Sequence, residues 1–315
     1  MDKLSADHFR DDDAARRELE RILWPNGPVC PHCGVIGSAY PLKRAGLYRC
    51  AEKECRKDFT VTTKTIMERS HIALHKWLQA FHLLTSSKKG ISAHQLHRML
   101  DIGYEAAWFM AHRIREAMRA GNLAAPLGGE GKIVEADETY HGKEDSPRPR
   151  SRGRIPQPTK KGRSGPAGKR AIVSLVERHG RVRTFHPAVA NQEAVTKIVA
   201  ENVVLESRLH TDESKLYTHV GRMMGDHETV KHSWGEYVRG DVHINSAEGY
   251  FSIFKNGMRG IYQHCAEKHL HRYLAEYDFR YNHRTRLGFD DAARAEEAIK
   301  GAEGKRLYYR QPDGR

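Results

Sequence analysis

Apolar residues follow a helical period in the first third of the chain and an alternating one further on. Ile72, Leu74, Trp77, Leu78, Phe81 and Leu84 recur at near-helical spacing, so residues 72–120 are expected to form a helical unit. Lys88–Gly90 interrupts it, Ser92 is placed to cap ISAHQLHRML, the turn DIGY follows, and EAAWFMAHRIREAMRA reads as another helix. Beyond residue 130, IVEADETY (133–140) is strand-like. AIVSLVE (171–177) and RVRTFHPAV (181–189) alternate and join at Arg178–Gly180 as a hairpin. Asn191 is a cap for a helical NQEAVTKIVAENV (191–203), and SRLHTDES (207–214) is a short strand ending at an acid. NSAEGYFSIFKNGM (245–258) and AEKHLHRYLAEYDFRYNHR (266–284) are helical again. Strand, hairpin, helix, strand and helices in that order predict an α/β domain.

The chain has 315 residues, long enough for a real core and about two or three domains. Its makeup, 39% hydrophobic and 30% charged, excludes collagenous and wholly disordered classes. A net charge of +13 points to a polyanionic partner, nucleic acid or an acidic membrane surface. Apolar stretches such as Ala171–Val176 are too short to span a bilayer, and the acidic start MDKLSADHFRDDDAARRELE lacks the apolar core of a secretory signal. The expected location is therefore cytoplasmic. Residues 143–170 hold ten Lys and Arg against two acids, and five prolines. Such a segment is expected to be a basic arm that packs no core, interrupting the α/β domain after its first strand. No internal repeat is visible.

Four of the five cysteines cluster as C-x2-C-x16-C-x4-C: Cys30, Cys33, Cys50 and Cys55. Two cysteine pairs on turns supply the four soft ligands of a tetrahedral zinc site, and four thiolates leave no open position, so the zinc is structural. Gly34 lets the chain turn under the metal, and Tyr48 and Phe59 are placed to pack over the knuckles. The second pair's x4 is looser than the usual x2. Cys265 stands alone, with a packing role. Ser92–Leu100, a turn and Tyr104–Arg119 have the outline of a helix-turn-helix, with Arg113, Arg115 and Arg119 placed to meet phosphates from the second helix; an ordinary helical linker domain is the alternative.

Three acids stand out. Asp137 lies near the end of an apolar strand, Asp212 ends another, and Glu248 is on a helix 36 residues later. Singly, each reads as a cap or a solvated acid. Together, on two strands and a helix of one α/β domain, they are candidates to converge on hard divalent cations, which take oxygen ligands. Two such ions about 3.5–4 Å apart hold the attacking and leaving oxygens of an in-line phosphoryl displacement. Lys255 is seven residues after Glu248, nearly two turns, so the two share a helix face.

These motifs resemble the insertion-sequence transposases that join an N-terminal zinc ribbon to a DDE, ribonuclease-H-like catalytic domain, in particular the ISXO2-like family. The residues that carry the resemblance are CPHCG (30–34), YRCAEKECRKDFTVTTKTIME (48–68), EADETYHGK (135–143), LHTDESKLY (209–217), HINSAEGYFSIFKNGMRGIYQH (243–264) and HLHRYLAEYDFRYNHR (269–284). The resemblance implies an acidic segment 1–27, a zinc ribbon 28–61, a helical DNA-binding domain 62–125, a catalytic domain 130–285 with its mixed sheet and flanking helices interrupted by the basic insertion 143–170, and a tail 286–315. It implies Asp137, Asp212 and Glu248 as ligands of two Mg²⁺ or Mn²⁺ ions, Lys255 as the associated base, and Cys30, Cys33, Cys50 and Cys55 as zinc ligands. Asn245, one turn before Glu248, stays open as an additional or alternative ligand, and Glu138 should point the opposite way from Asp137. The implied reaction is metal-dependent hydrolysis at transposon ends, then direct attack of the freed 3′ hydroxyls on target DNA, with no covalent protein–DNA intermediate. The implied partner is double-stranded DNA, bound by a homodimer or larger assembly associated with the nucleoid. Ribbon and helical unit would read the terminal repeats, and Arg150, Arg152, Arg154, Lys160, Lys161 and Arg163 of the arm would neutralise phosphates.

Two other readings compete. A non-catalytic zinc-ribbon DNA-binding regulator explains the charge, ribbon and helices but not the acids with Lys255. A tyrosine-type single-strand transposase would use His269–Leu270–His271 with Tyr273 or Tyr277, yet that pair falls in a helical pattern rather than on a strand.

Overall fold

The computed structural model describes residues 4–121, 125–143 and 168–307. Two compact units result, Met1–Ala120 with His283–Arg315, and Gly121–Asn282. Arg150, Arg152, Arg154, Lys160, Lys161 and Arg163 lie outside the described residues.

The first unit begins with α1 (Asp12–Leu23), capped where the Asp11 carboxylate accepts the Ala14 N–H at 2.7 Å. Asp12 and Asp13 face water while Ala15, Leu19, Ile22 and Leu23 are buried, so the segment 1–27 is more than an acidic lead-in. A small antiparallel sheet follows: β1 (Ala39–Pro41), β2 (Tyr48–Cys50) and β3 (Asp58–Phe59). Then come α2 (Leu74–Ser86), α3 (Ala93–Leu100) and α4 (Tyr104–Met118). Trp77, Leu78, Phe81 and Leu84 form the buried face of α2, and the Ser92 hydroxyl caps α3 by accepting the Gln95 N–H at 3.1 Å. Asp101, left-handed at φ +48°, ends α3 and turns the chain into α4.

Two of the three arginines expected to meet phosphates are instead enclosed. Every residue of α4 from Met110 to Met118 is buried. Arg113 donates to the Glu68 carbonyl at 2.7 Å and lies over the Trp77 and Phe109 rings. Arg115 is 2% exposed. Arg119, past the end of α4, is on the surface and pairs with Glu116 at 2.7 Å. A helix sunk in a core on all sides cannot offer its later turns to a DNA groove.

The second unit is a five-stranded mixed sheet: β4 (Ile133–His141), β5 (Arg170–Glu177), β6 (Val182–Phe185), β7 (Arg208–Asp212) and β8 (Asp226–Val230), in the order β6-β5-β4-β7-β8. β4 pairs antiparallel with β5 and parallel with β7; β5–β6 is antiparallel and β7–β8 parallel. α5 (Gln192–Asn202), α6 (Thr218–Gly221), α7 (Asn245–Gly257) and α8 (Glu267–Asn282) complete it. Strand alternation separates two cores. Val134, Ala136, Val173 and Leu175 pack with Val195, Val199 and Tyr217, while Ile172 and Val176 pack with Ala247, Tyr250, Phe254, Leu270 and Tyr277. This mixed sheet with flanking helices is the α/β arrangement that the sequence resemblance implied. β6 stops at Phe185, short of Pro187, which cannot donate to a ladder.

The last helix, α9 (Asp291–Lys300), belongs to the first unit and packs against α1, α2 and α4. The segment 286–315 is therefore not simply a tail: Ala295, Ala298 and Ile299 are buried, and Arg294 donates to the Thr85 carbonyl at 3.0 Å. Among the described residues, no helix is long and apolar enough to cross a membrane.

Candidate functional site

The cysteine knuckles close on one point. One ligand atom from each of Cys30, Cys33, Cys50 and Cys55 lies within 4.8 Å of every other, with Cys30–Cys55 at 3.7 Å and Cys33–Cys50 at 3.6 Å. Zn–S bonds of about 2.3 Å in a tetrahedron place sulfurs roughly 3.8 Å apart, so the donor set fits zinc. Gly34 at φ +80° makes the first turn, its N–H bonded to the Cys30 carbonyl at 2.8 Å. The x4 spacing is absorbed by a second turn, in which the Glu52 carbonyl accepts the Cys55 and Arg56 N–H groups at 3.0 and 3.1 Å. Burial and the neighbouring thiols push Cys50 up to about 12. Burial also works on Cys30, but the Cys33 and His32 backbone N–H groups bring it down to about 7. Four thiolates share this space only around a cation. Tyr48 and Phe59 face each other across β2 and β3, and Trp24 meets both edge-on at 5.5 and 5.8 Å.

In the second unit, β4 and β7 run parallel with Glu135 beside His210. Two residues further along each strand stand Asp137 and Asp212, on the same sheet face as Glu135. The Asp137 carboxylate accepts the Glu138 N–H at 2.8 Å, and Asp212 accepts the Ser214 N–H at 3.0 Å. Glu248, in the first turn of α7, is exposed; the His232 Nδ1 lies 3.8 Å from its carboxylate. Burial pushes Asp137 up to about 8, reinforced by the charges of Glu138, Asp212 and Glu248. Burial raises Asp212 as well, with His232 opposing. Burial lowers Lys255, two turns after Glu248, and the charge of Asp137 partly restores it. Asp137 thus feels both other acids and the lysine. The four groups are not drawn as tightly as the cysteines: among the described residues, the cysteines are the group of three or more whose ligand atoms all fall within 4.8 Å. Asn245 is exposed at the start of α7. Glu138 does face the other side, its carboxylate accepting the Ser214 hydroxyl at 3.3 Å beside the buried Tyr217.

Sequence reasoning missed Glu135. This fully buried carboxylate accepts the Ser246 N–H at 2.7 Å, the Ser246 hydroxyl at 3.0 Å and the Ala247 N–H at 3.1 Å, all at the N-terminus of α7. Arg178 donates to it at 3.0 Å and reaches His243 and His210. An acid at an inward strand position was the available signal. Tyr273 and Tyr277 are packed in the core beneath α7, so neither is an accessible nucleophile. Cys265 also packs against that core.

A four-cysteine ribbon and a mixed-sheet α/β domain in one chain are what the comparisons with known proteins match. The chain matches the ISXO2-like transposase domain over residues 126–282 and the transposase zinc-ribbon domain over residues 10–58. It is 31% identical over 257 residues to an uncharacterised protein in transposable element ISH50 of Halobacterium salinarum, covering 78% of this chain and 82% of that protein. Similar solved structures include the Mos1 transposase paired-end complex with left transposon end, at 14% identity and TM-score 0.27, covering 71% of this chain and 74% of that one. Another is the Mos1 strand transfer complex, at 13% identity and TM-score 0.28, covering 73% and 79%. The chain belongs to the ISXO2-like transposase family and is a DNA transposase of an insertion element.

Proposed function

We propose that the chain cuts DNA at the ends of its element and joins them to target DNA, using Asp137, Asp212 and Glu248 as ligands of two Mg²⁺ or Mn²⁺ ions. The observation that carries this reading is the convergence on Asp137. Its parallel-strand counterpart is Asp212, and Glu248 and Lys255 reach it electrostatically from one face of α7. Carboxylates held together at this cost to their ionisation fit divalent cations as a donor set. Bound ions of this kind supply Lewis-acid stabilisation of the attacking and leaving oxygens.

The protein's own groups do the rest. Asp137 and Asp212 are fixed by backbone N–H groups, so their ligand oxygens are preset. Lys255 offers a cation to a phosphate oxygen beside them. Asn245, one turn before Glu248, is in reach of the same role as Glu248. Hydrolysis breaks a phosphodiester P–O bond, leaving a 3′ hydroxyl and a 5′ phosphate. That hydroxyl then forms a new P–O bond in target DNA as the target's own 3′ oxygen leaves. No bond to protein forms. Two ends must be held at once, which calls for a homodimer or larger assembly. The net charge of +13 supports binding to double-stranded DNA, with affinity that falls steeply with salt.

The test is metal-dependent nicking of supercoiled DNA. Asp137→Asn should abolish nicking while leaving DNA affinity within about threefold; nicking equal to the parent protein would leave the non-catalytic DNA-binding regulator in its place.

A further inference from the structure

The loop between β8 and α7 carries large side chains that none of the described residues covers. Trp234 is 79% exposed and Tyr237 60% exposed, with Val238 beside them. The base of this loop is built, not loose. Val230, Val242 and Ile244 form a small core under it, and Arg239 and Val242 pair across a tight turn in its later part. His232–Trp234 make a 3₁₀ turn closed by Gly235 at φ +76°. Glu213 accepts the Ser233 N–H at 3.0 Å, and Glu236 accepts the Lys231 N–H at 3.2 Å. The loop also adjoins the acids. His232 lies 3.8 Å from the Glu248 carboxylate, acts on Asp212, and meets the Tyr237 ring at 5.0 Å.

We propose that Trp234 and Tyr237 are a stacking platform for unpaired bases of the DNA strand whose phosphodiester enters the acidic site. The proposal rests on the strand-cleavage reading above and names a contact that reading does not contain. Bare aromatic faces next to cationic groups suit bases and phosphates together. Lys231 lies 4.2 Å from the Trp234 ring centroid. The nearby acids are committed elsewhere: Glu213 and Glu236 to backbone N–H groups, and Asp241 to Arg208 at 2.7 Å. Through His232, which touches both Glu248 and the Tyr237 ring, the exposed rings adjoin the acidic site, so the nucleotides next to a phosphodiester held there by cations would lie within reach of them. Stacking is indifferent to sequence, because every base has a π-face.

The experiment measures binding of the zinc-loaded full chain to a fluorescent 20-nucleotide single strand and to the same strand with abasic positions. Trp234→Ala should weaken binding of the base-bearing strand roughly ten- to a hundredfold and leave the abasic strand within about twofold, with Trp234→Phe recovering most of the loss. Tyr237→Ala should act in the same direction. Trp234 is on the surface, so far-UV circular dichroism should match the parent protein. Equal losses on both strands, or none on either, overturn the platform. If the parent protein binds neither strand nor duplex, the DNA reading itself falls. If it binds both and Trp234→Ala changes only the sedimentation coefficient, the loop is a contact between copies of the chain and the platform is overturned while strand cleavage stands.

Discussion

Asp137 and Asp212 occupy equivalent positions on adjacent parallel strands, each two residues beyond the paired Glu135 and His210. Parallel pairing sets the middle of β4 beside β7, and the two-residue period puts both acids on the face that α7 covers. Burial and the charge of Asp212 make a lone ionised Asp137 costly, so a proton or a cation on it is favoured.

Cation binding should therefore compete with protons. Asp137 is pushed up to about 8, so below that pH a metal ion must displace its proton. Affinity for Mn²⁺ is expected to rise about tenfold per pH unit between pH 6 and 8 and to level off above. Titration calorimetry in two buffers of different ionisation heat should find close to one proton released per metal at pH 6.5. An affinity flat across this range would place the ions elsewhere.

Glu135 makes a different claim. It joins β4 to the first turn of α7, which carries Glu248, through two backbone N–H groups and the Ser246 hydroxyl. Glu135→Ala removes the carboxylate partner of the half-buried Arg178 guanidinium and uncaps the helix, and it should cost about 2–4 kcal/mol in chemical denaturation. Glu135→Gln keeps one acceptor oxygen but turns a donor toward the helix N–H groups, and it should lose nicking more than stability.

Much of this was legible in the sequence because the signals are local. The cysteine spacing, the Ser92 and Asn191 caps and the alternation in 171–177 each depend on a few neighbours. Asp137 was legible as an acid where an apolar residue was due, and Asp212 as the acid that ends a short strand. What escaped depends on distant partners. α1 is helical and buried despite its acids because Leu19 and Ile22 have other helices to meet. β8, Asp226–Val230, has four polar residues and one apolar one and is held by its ladder to β7. α9 looks like a solvated tail until α2 is beside it. Arg113 and Arg115 misled for the same reason: a basic helix reads as a DNA-facing surface until its neighbours enclose it.

That enclosure gives a prediction about Arg113. Its guanidinium bonds the Glu68 carbonyl and covers two aromatic rings, so Arg113→Ala removes packing as well as charge. It should lower stability by about 2–4 kcal/mol, with DNA affinity of the folded protein changed less than twofold. Arg119→Ala, on the surface, should cost under about 1 kcal/mol. Thermal melts paired with anisotropy binding separate the two effects, and a selective loss of DNA affinity in Arg113→Ala would restore the phosphate-facing assignment.

The zinc ribbon should fail as a unit. Trp24, Tyr48 and Phe59 pack beside the cysteine turns, so losing the metal loosens an aromatic cluster as well as a loop. Cys50→Ser, or a strong chelator, should release one zinc per chain and erase the near-UV circular dichroism of this cluster. A near-UV spectrum unchanged after stoichiometric zinc release would show that the ribbon holds its shape by packing alone.

Asp278 sets a pH dependence of its own, separate from Asp137 and Asp212. Its carboxylate accepts the Thr184 N–H at 2.9 Å and the Tyr250 hydroxyl at 2.6 Å, tying α8 to β6 and α7. Burial raises it to about 7 from 3.8, while the Tyr250 and Thr184 hydrogen bonds pull the other way. Because the folded chain holds this proton more tightly than the unfolded chain, the folded state binds more protons between about pH 4 and 7. Stability from this group is then full below pH 4, declines as pH rises through that window, and is gone above about 7. Asp278→Asn keeps the shape, removes the titration and should flatten the denaturation free energy over pH 4–7 relative to the parent protein. An unchanged slope in the variant would mean that Asp278 is ionised in the folded chain at every pH in the window, with its charge carried by the Tyr250 and Thr184 hydrogen bonds.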